Sequence, residues 1–590
     1  MLPNGILGII ANDPSVVARF HEIHRRRCAV DQSVSCQQLE SGLVSLGSVT
    51  STVSEVAIHA SRSTDGSTLG VFNGVAFDDW NIEYRPHELL SLSTKEIDAG
   101  ANGMFQACAA DDRQLALLTD PWGTLPVYVF HDADTFAFSC SLRALAEACI
   151  SDAYIANTEG ISQLLSFGQT IDGQTIYPGI RRLGRATVCR VRKKGQRVTF
   201  TEEEYFSPKV EPSEYRGIDD DIVDSFRSAV RKLHRKSEGD MVCTLSGGMD
   251  SRVIASAVAA EGFDLPFATH AVREGHDLRI AIEVAKRLHL RHHVVTLPEE
   301  LPLDHRAKQF MQGSNGLLPF DNYHVMWAFP QYASLGRFVL DGVHTSIEGR
   351  WFLRNNSRQA VDKQSFYQRT REAMLRPGIL RYARGAAVHV QLACEILERL
   401  IPDPAGFASP GCCADVFNVR TLLPTHGADG AMLQNHFLRY ISPYLDRDYV
   451  SVISRVAEQK RWVQHPQRLI VRKLAPQLAN LHRSYSDILS WPTDNPYLLR
   501  VPVGLERLYG KLKLDRLPSL HRKLSRRAPT IGSTLIADGT LQWDGLLARF
   551  FDLSAELLPP CGDGQTYVVR EELHALLHFL ISEQDQGRAC

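Results

Sequence analysis

The chain has 590 residues, with 65 Lys and Arg against 67 Asp and Glu, and 44% of its residues are hydrophobic. At roughly 150 residues per domain, this length predicts about two to four domains, each large enough to bury a core. The formal charge of −2 provides no field that would recruit a polyanion, so we expect neither nucleic acid nor a membrane as a partner.

Targeting and redox signals are weak throughout the chain. No run approaches about 18 consecutive apolar residues, and the first residues, MLPNGILGIIANDP, lack a basic region and a cleavage site. The twelve Cys are scattered without a CxxC motif, which favours reduced thiols. HEIH at 21–24 lacks the i,i+4 histidine spacing of a zinc protease. These features predict a cytoplasmic protein.

Residues 1 to about 205 contain short β-type runs broken by Gly, Asn and Asp, which predict a sheet-dominated domain. From about 216 the pattern changes to helices alternating with apolar strands such as MVCTL and LPFATHAV. This alternation predicts a parallel sheet with crossover helices. Beyond 350 the chain is mostly helical. Residues 500–527 carry nine Lys and Arg against two Asp and Glu, which indicates either a solvated helical face or a docking surface for an acidic partner.

A Gly turn between a predicted strand and helix is the main chemical signal. It reads LSGGMDS at 245–251. Adjacent glycines, Ser hydroxyls and a helix N-terminus together can surround a phosphate, and an Asp among them can hold Mg²⁺ against phosphate oxygens. No Lys follows the glycines, so a Walker-type site is disfavoured. An ordinary strand-to-helix turn is the alternative interpretation.

In this context SGGxDS resembles the pyrophosphate loop of the ATP pyrophosphatases, which split ATP between its α and β phosphates. The wider chain resembles the class B, glutamine-hydrolysing asparagine synthetases. The segments that carry this resemblance are NGVAFD (73–78), NGMF (102–105), DPWGTLPVY (120–128), FAFS (136–139), LRAL (142–145), the segment from Asp277 to Leu288, His292–His293, SPYLD (442–446) and QRLIVRKL (467–474). The order of these segments matches the order in the family.

The resemblance implies an α/β protein with two domains. The first, at 1–205, is a β-rich αββα sandwich like that of the N-terminal-nucleophile (Ntn) hydrolases. The second, at 216–590, is an ATP-pyrophosphatase-type parallel α/β domain with a helical C-terminal region. The family's ATP-binding residues are carried onto Leu245, Ser246, Gly247, Gly248, Met249, Asp250, Ser251 and Gly342.

Two positions depart from the glutaminase half of the family. Aligning GILG with the family's CGIxG motif puts Asn4 at the nucleophile position, and residue 2 is Leu. Val75 replaces the Glu that would hold the glutamine amine. Glutaminase chemistry of this type needs an N-terminal Cys. The sequence therefore predicts that this activity is absent and that the domain serves as a scaffold or substrate platform.

Two further departures concern the synthetase half. The family's second phosphate and Mg²⁺ motif aligns with LDGVHTSIEG at 340–349, where Ser346 occupies the metal Asp position. Asp341 or Glu348 could replace it, so we predict Mg²⁺ ligands at Asp250, Asp341 and Glu348. The family's catalytic Lys is absent from Arg483–Tyr485, and Lys473 is a weak substitute that would more commonly be a surface cation.

The resemblance implies ATP and Mg²⁺ as cofactors and an ATP-dependent carbon–nitrogen ligase that forms AMP and pyrophosphate. Family members without the N-terminal Cys include the β-lactam synthetases and the macrolactam cyclases of lasso peptides. We favour the second because the chain is long and Arg-rich after 350. Its partners would be a precursor peptide and a leader-peptide protease. The alternatives are a ligase that uses free ammonia or a small-molecule amine, and a degenerate scaffold subunit.

Overall fold

The computed structural model describes residues 1–481 except 29–31, 40, 52–57, 151–156, 273–274, 299–300, 302–304, 319, 344–361, 376–385, 463 and 479–480. Glu348, the 483–485 segment and the basic 500–527 segment therefore lie outside the described residues. No helix in the described ranges is both long and apolar enough to cross a membrane.

Two antiparallel sheets fill the first half. Their strands are β1 (Gly5–Ala11), β2 (Gln32–Gln38), β3 (Val44–Ser51), β4 (His59–Arg62), β5 (Leu69–Ala76), β6 (Gly103–Ala110), β7 (Gln114–Thr119), β8 (Tyr128–His131), β9 (Thr135–Ser139), β10 (Ile180–Arg182), β11 (Thr187–Lys194) and β12 (Arg197–Glu204). The first sheet has the order β10-β8-β9-β1-β3-β2, and the second has the order β12-β11-β7-β6-β5-β4. β1 pairs antiparallel with both β3 and β9.

The two sheets pack face to face as a sandwich, because apolar side chains alternate between the two faces of each strand. Ile6 and Ile10 of β1 face a core shared with Cys108 of β6, whereas Leu7 and Ile9 face the opposite side. Side chains of a strand point alternately to its two faces, so each sheet has one inner and one outer apolar face.

Helices cover both outer faces of the sandwich. They are α1 (Pro14–Arg27), α2 (Thr94–Gly100), α3 (Leu142–Cys149) and α4 (Thr158–Phe167), with 3₁₀ turns at Asn81–Glu83 and Pro86–Ser91. α1 and α3 pack on the first sheet, and α2 with the 3₁₀ turns packs on the second. The predicted αββα arrangement is confirmed.

The second half is built on a five-stranded parallel sheet. Its strands are β13 (Met241–Thr244), β14 (Pro266–Ala271), β15 (Arg291–Thr296), β16 (Phe338–Leu340) and β17 (Arg439–Ile441). The order is β15-β14-β13-β16-β17, and every pairing is parallel. The chain moves from β13 to one side and later resumes on the other side with β16, so the order reverses between β13 and β16. Ligands of open α/β sheets bind in the crevice at this reversal, outside the carboxyl ends of the strands.

Crossover and C-terminal helices complete this half. α5 (Ile218–Lys236) precedes β13. The crossovers contain α6 (Met249–Ala260), α7 (His276–Leu288), α8 (His305–Gly313) and α9 (Val325–Ala333). Later helices are Lys363–Met374, Ala386–Leu400, Pro410–Phe417, Ala428–Gln434, Arg447–Ile453, Glu458–Trp462 and His465–Leu474, with a π-helix at Asn418–Gly427 and 3₁₀ turns at Phe320–His324, Pro404–Gly406, Pro443–Leu445 and Pro476–Leu478. The predicted α/β class with a helical later region is therefore confirmed.

One apolar core runs through both halves. It includes Leu7 and Val17 from the sandwich together with Val253 and Ile441 from the parallel sheet. The division into domains at 205–216 stays a prediction.

Candidate active site

The predicted Gly turn lies directly after β13, at the reversal of strand order. The Leu245 N–H continues the sheet by donating to the Ala268 carbonyl at 2.9 Å. The chain then turns, and the Ser251 hydroxyl folds back to accept from the Ser246 N–H at 3.0 Å. The Gly248 N–H donates to the Ser246 hydroxyl at 3.1 Å. The two serines that the sequence singles out therefore hold the loop in shape.

α6 begins immediately after this loop. Gly248 stands at its N-cap position and provides no side-chain hydrogen bond to the first turn. The first N–H groups of a helix have no partner within the helix, and their dipoles favour an anion. The start of α6 thus provides the donors that the sequence assigns to phosphate binding.

Gly342 lies against the first turn of α6 from the neighbouring strand end. A Cβ atom at this position would lie 3.0 Å from the Asp250 Cβ and 3.2 Å from the Asp250 carbonyl carbon. These distances are tighter than most real Cβ contacts, so a side chain at this position would force the first turn of α6 to shift by a few tenths of an ångström. Gly342 and Asp250, both assigned to the ATP site from the sequence, therefore lie against each other.

Asp341 lies at the same strand end and is buried. Its Oδ1 accepts from the Thr244 hydroxyl at 2.9 Å, and its backbone N–H donates to the Ile441 carbonyl at 3.1 Å. Burial raises the pKa of the Asp341 carboxyl, although bonds from Thr244 and from neighbouring backbone amides oppose that rise. A cation beside this group would favour its ionised form.

Asp250 and Asp341 are the two predicted metal ligands among the described residues. Within those ranges, no group of three or more His, Cys, Asp or Glu side chains is arranged to hold a metal ion. Mg²⁺ uses only one or two protein carboxylates when phosphate oxygens complete its coordination. The two carboxylates therefore suit Mg²⁺ bound together with a phosphate, and Glu348 stays a prediction outside the described residues.

Asp277, from the first turn of α7, is a loop contact that the sequence did not predict. Its Oδ1 accepts from the Gly247 N–H at 2.8 Å. Sequence reasoning included Asp277 only as the first residue of a family-like helix. A phosphate at Gly247 would compete with this carboxylate for the same donor.

Arg252 and Tyr444 support the loop from beneath. Arg252 is fully buried and donates to the Gly247 carbonyl at 3.2 Å and to the Leu481 carbonyl at 3.0 Å. The Tyr444 hydroxyl donates to the Asp250 carbonyl at 2.9 Å. Tyr444 belongs to the SPYLD segment that follows β17. Because these contacts join distant parts of the chain, no local pattern indicates them.

The β14 side of the crevice is lined by neutral hydrogen-bonding groups. Thr269 donates to the Leu245 carbonyl and contacts the His292 Nε2 at 2.8 Å. The His270 Nδ1 lies 2.8 Å from the Tyr332 hydroxyl. Burial lowers the pKa of His270 to about 3, so its imidazole is neutral near pH 7.

Lys473 lies near the end of the helix His465–Leu474, which packs against α6. Its side chain is 54% exposed, and its Nζ lies 3.4 Å from the Asp220 Oδ1 at the start of α5. This is the surface ion pair that the alternative interpretation expects. A catalytic role for Lys473 stays a prediction.

Asn4, which the family resemblance aligns with a glutaminase nucleophile, is buried. Its amide donates to the Asn435 carbonyl at 2.9 Å, and its Oδ1 accepts from Gln32 at 3.3 Å. The Gln32 side chain also forms two hydrogen bonds with the Leu2 backbone: it accepts from the Leu2 N–H and donates to the Leu2 carbonyl. The Asn435 bond ties the residues before β1 to the second half, and the Gln32 bonds tie them to β2.

Polar side chains near Asn4 in the first half also form hydrogen bonds with other protein groups. The Gln106 Oε1 accepts from the Ile6 N–H and from the Asn73 amide, each at 3.2 Å. Arg439 of β17 donates to the Asn73 Oδ1 at 2.7 Å. Val75, in place of the family's Glu, is buried in the shared core.

The NGMF and SPYLD segments meet where the two halves touch. The Asn102 amide donates to Asp446 at 3.3 Å and to Asp78 at 2.7 Å, and its oxygen accepts from the Arg447 N–H at 3.0 Å. The Lys232 ammonium lies 3.0 Å from both Asp78 and Asp446. Although partial burial opposes it, the surrounding carboxylates raise the pKa of Lys232. Segments that resemble one family in sequence thus form one interface in space.

Comparisons with known proteins were made by sequence and by structure. No curated protein matches it. Among solved structures, an allosteric regulatory enzyme of purine biosynthesis has 10% identity and a TM-score of 0.22 over 41% of this chain and 60% of its own, so less than two thirds of it is spanned. The glutamine phosphoribosylpyrophosphate amidotransferase of B. subtilis, complexed with ADP and GMP, has 10% identity and a TM-score of 0.21 over 52% of this chain and 70% of its own. Residues 221–319, which contain the Gly turn, α6 and Asp277, match the family model described as asparagine synthase.

Proposed function

We propose that this chain is an ATP-dependent ligase that activates a carboxylate as an acyl adenylate and joins it to an amine. The observation that carries this proposal is the SGG turn and the start of α6, which face Asp341 and Gly342 at the reversal of strand order. The match of residues 221–319 to asparagine synthase supports the same chemistry, because that family consists of ATP-dependent carbon–nitrogen ligases.

The chain's own residues divide the binding of ATP between them. The amides at the start of α6 and the hydroxyls of Ser246 and Ser251 would bind the diphosphate, and the absence of a side chain at Gly342 keeps the two strand ends close. Asp250 and Asp341 would hold Mg²⁺. When bound, Mg²⁺ neutralises negative charge on the phosphate oxygens and the leaving diphosphate.

The proposed reaction has two steps. An oxygen of the substrate carboxylate attacks the α-phosphorus of ATP, and the bond to the leaving diphosphate breaks. The amine then attacks the acyl carbon, AMP leaves with the electrons of the acyl–oxygen bond, and the amine loses a proton. Donors fixed before the reaction stabilise the charge that develops in each step.

In this proposal, the first half of the chain does not supply the amine by hydrolysing glutamine. Asn4 and Asn73 occupy positions that a glutaminase needs, and both are tied to the parallel half by hydrogen bonds. Val75 cannot bind an ammonium group. The nucleophile is therefore free ammonia or an amine that the substrate carries.

Within this class, we favour a macrolactam cyclase of the lasso-peptide type. It would join the side-chain carboxylate of an Asp or Glu in a precursor peptide to that peptide's own N-terminal amine, with a leader-peptide protease as its partner. The alternatives that remain are a ligase using ammonia or a small-molecule amine, and a non-catalytic scaffold.

Exchange of labelled pyrophosphate into ATP tests the first step. We expect exchange in the presence of the correct carboxylate and a loss of about 100-fold in Asp250→Asn, because Asp250 stands where Mg²⁺ and diphosphate meet. Asp112→Asn, at an exposed site in the sandwich, is the matched control and should exchange like the parent. Absence of both exchange and ATP binding with every candidate carboxylate would exclude the ligase.

Mass spectrometry of a co-expressed precursor peptide tests the finer proposal. A cyclase removes one water from the peptide without adding any atom. Incorporation of labelled ammonia into the product, or of a separate amine, would instead identify one of the alternative ligases.

A further inference from the structure

The outer side of the sandwich carries a second feature that the ligase chemistry does not use. A cavity of about 810 Å³ lies along α1, next to the end of β2 and to α3. The polar residues of its wall are the cations Arg19, Arg25 and Arg26, the carboxylates Glu22 and Glu147, and the neutral side chains His21 and Gln38. Its volume is in the range of pockets that bind metabolites.

His21 is the most unusual residue of this wall. Only 6% of it is exposed, and within the described part of the chain no group lies within hydrogen-bonding distance of its Nε2. Burial, together with the nearby Arg25 guanidinium, lowers the pKa of His21 to about 4, so the ring is neutral near pH 7. A buried polar atom without a partner costs free energy unless a ligand or water satisfies it.

Arg25 lies one helical turn after His21 and is exposed. No ion pair joins it to another residue in the described ranges. The other cations differ, because Arg26 pairs with Glu147 and Arg19 donates to the Glu147 carbonyl at 3.0 Å. Glu147 is thereby engaged by neighbouring arginines, which leaves Arg25 as the cation available beside the His21 ring.

We propose that this cavity, which we call the α1 pocket, binds a small organic oxyanion whose carboxylate or phosphate group accepts hydrogen bonds from the His21 Nε2 and the Arg25 guanidinium. An oxyanion satisfies the buried nitrogen and neutralises the charge of Arg25 together, whereas water or a neutral ligand provides no opposite charge. Hydrogen bonds between ionised partners are also the stronger kind. This site is independent of the proposed ligase function, because α1 packs on the first antiparallel sheet and not on the parallel sheet.

Titrations with inorganic phosphate and with citrate test the proposal on the full chain and distinguish the two acid groups. The readout is the Cε1–H resonance of His21 in histidine-labelled protein, assigned by its absence from His21→Phe. This local signal is needed because phosphate can also bind at the start of α6. We expect at least one of the two anions to shift the resonance in a saturable way.

Arg25→Gln should weaken that anion about tenfold, since it removes one charge-assisted bond at an exposed position that does not affect folding. Arg113→Gln, at an exposed turn between β6 and β7, is the matched control and should bind like the parent. A parent protein whose His21 signal responds to neither anion, or an Arg25→Gln variant that binds as tightly as the parent, would overturn the proposal.

Discussion

The start of β1, where the sequence predicts that glutaminase chemistry is absent, and the start of α6, where it predicts phosphate binding, use their polar groups differently. Near β1, Asn4, Asn73 and Gln106 hydrogen-bond to neighbouring protein groups. α6 begins at a glycine with no side-chain cap. The sandwich helices α1 to α4, in contrast, all have a side-chain cap, from Asp13, Ser93, Ser141 and Asn157.

The polar groups near β1 are used in packing, whereas no side chain caps the first amides of α6. Val75 and the residues before β1 belong to the core that joins the two halves. The strand order places α6 at the crevice, where a cap would compete with a ligand for the same amides.

Placing a carboxylate at position 75 is the strongest test of this comparison. We expect Val75→Glu to lower the free energy of unfolding by about 4 kcal/mol, because it buries an unpaired charge in a packed core. Val388→Glu is the matched control at a site that is 67% exposed and should change stability little. Chemical denaturation measures both. A Val75→Glu protein as stable as the parent, and active as a glutaminase, would mean that the first region is still an open site.

We expect the second-largest loss of stability from replacing Arg252. Arg252→Met leaves the Gly247 and Leu481 carbonyls without their buried donor, and we expect a loss of about 2 to 3 kcal/mol together with weaker ATP binding. Arg291→Met removes an exposed Arg that pairs with Asp264, and it should cost under about 0.5 kcal/mol. Denaturation and nucleotide titration on the same samples separate the two effects. Unchanged stability in Arg252→Met would refute the supporting role.

Arg252 also illustrates what the sequence could and could not predict. The apolar run before the glycines and the Ala-rich segment after them suffice to predict β13, the turn and α6. The proximity of Gly342 to Asp250 followed from the family resemblance, since the two residues are far apart in the chain. The contacts of Arg252, Tyr444 and Asp277 depend on how distant strands pack, and no local period encodes that. Lys473 is the opposite case: the sequence of its segment resembles the family, but its side chain lies on the surface and pairs with Asp220.

A smaller change at Gly342 tests the close approach itself. Gly342→Ala should reduce pyrophosphate exchange about tenfold and destabilise by about 1 to 2 kcal/mol, because the added methyl group lies 3.0 Å from the Asp250 Cβ. Gly430→Ala is the matched control, since nothing lies within 4 Å of its would-be Cβ and Ala favours the helix there. Equal exchange in the two variants would show that the strand ends can separate without loss of function.

Asp341→Asn should have the smallest effect on stability, and its sign depends on pH. Because the pKa of Asp341 is raised in the folded state, its contribution to stability is complete below the ordinary Asp pKa of about 3.9 and is lost as the pH rises through the raised value. An Asn at this position is neutral throughout and can still accept from Thr244. At pH 7 the variant should therefore be more stable than the parent, by about 1 kcal/mol, while losing pyrophosphate exchange.

Unfolding curves of the parent and of Asp341→Asn across pH measure this difference. Burial also raises the pKa of Asp120 and of Asp415 to about 6, but both residues contribute equally to the two proteins, so the difference between the two sets of curves isolates Asp341. If the variant were less stable than the parent at pH 7, Asp341 would belong with the packed polar groups near β1 and not with the ligand-binding edge.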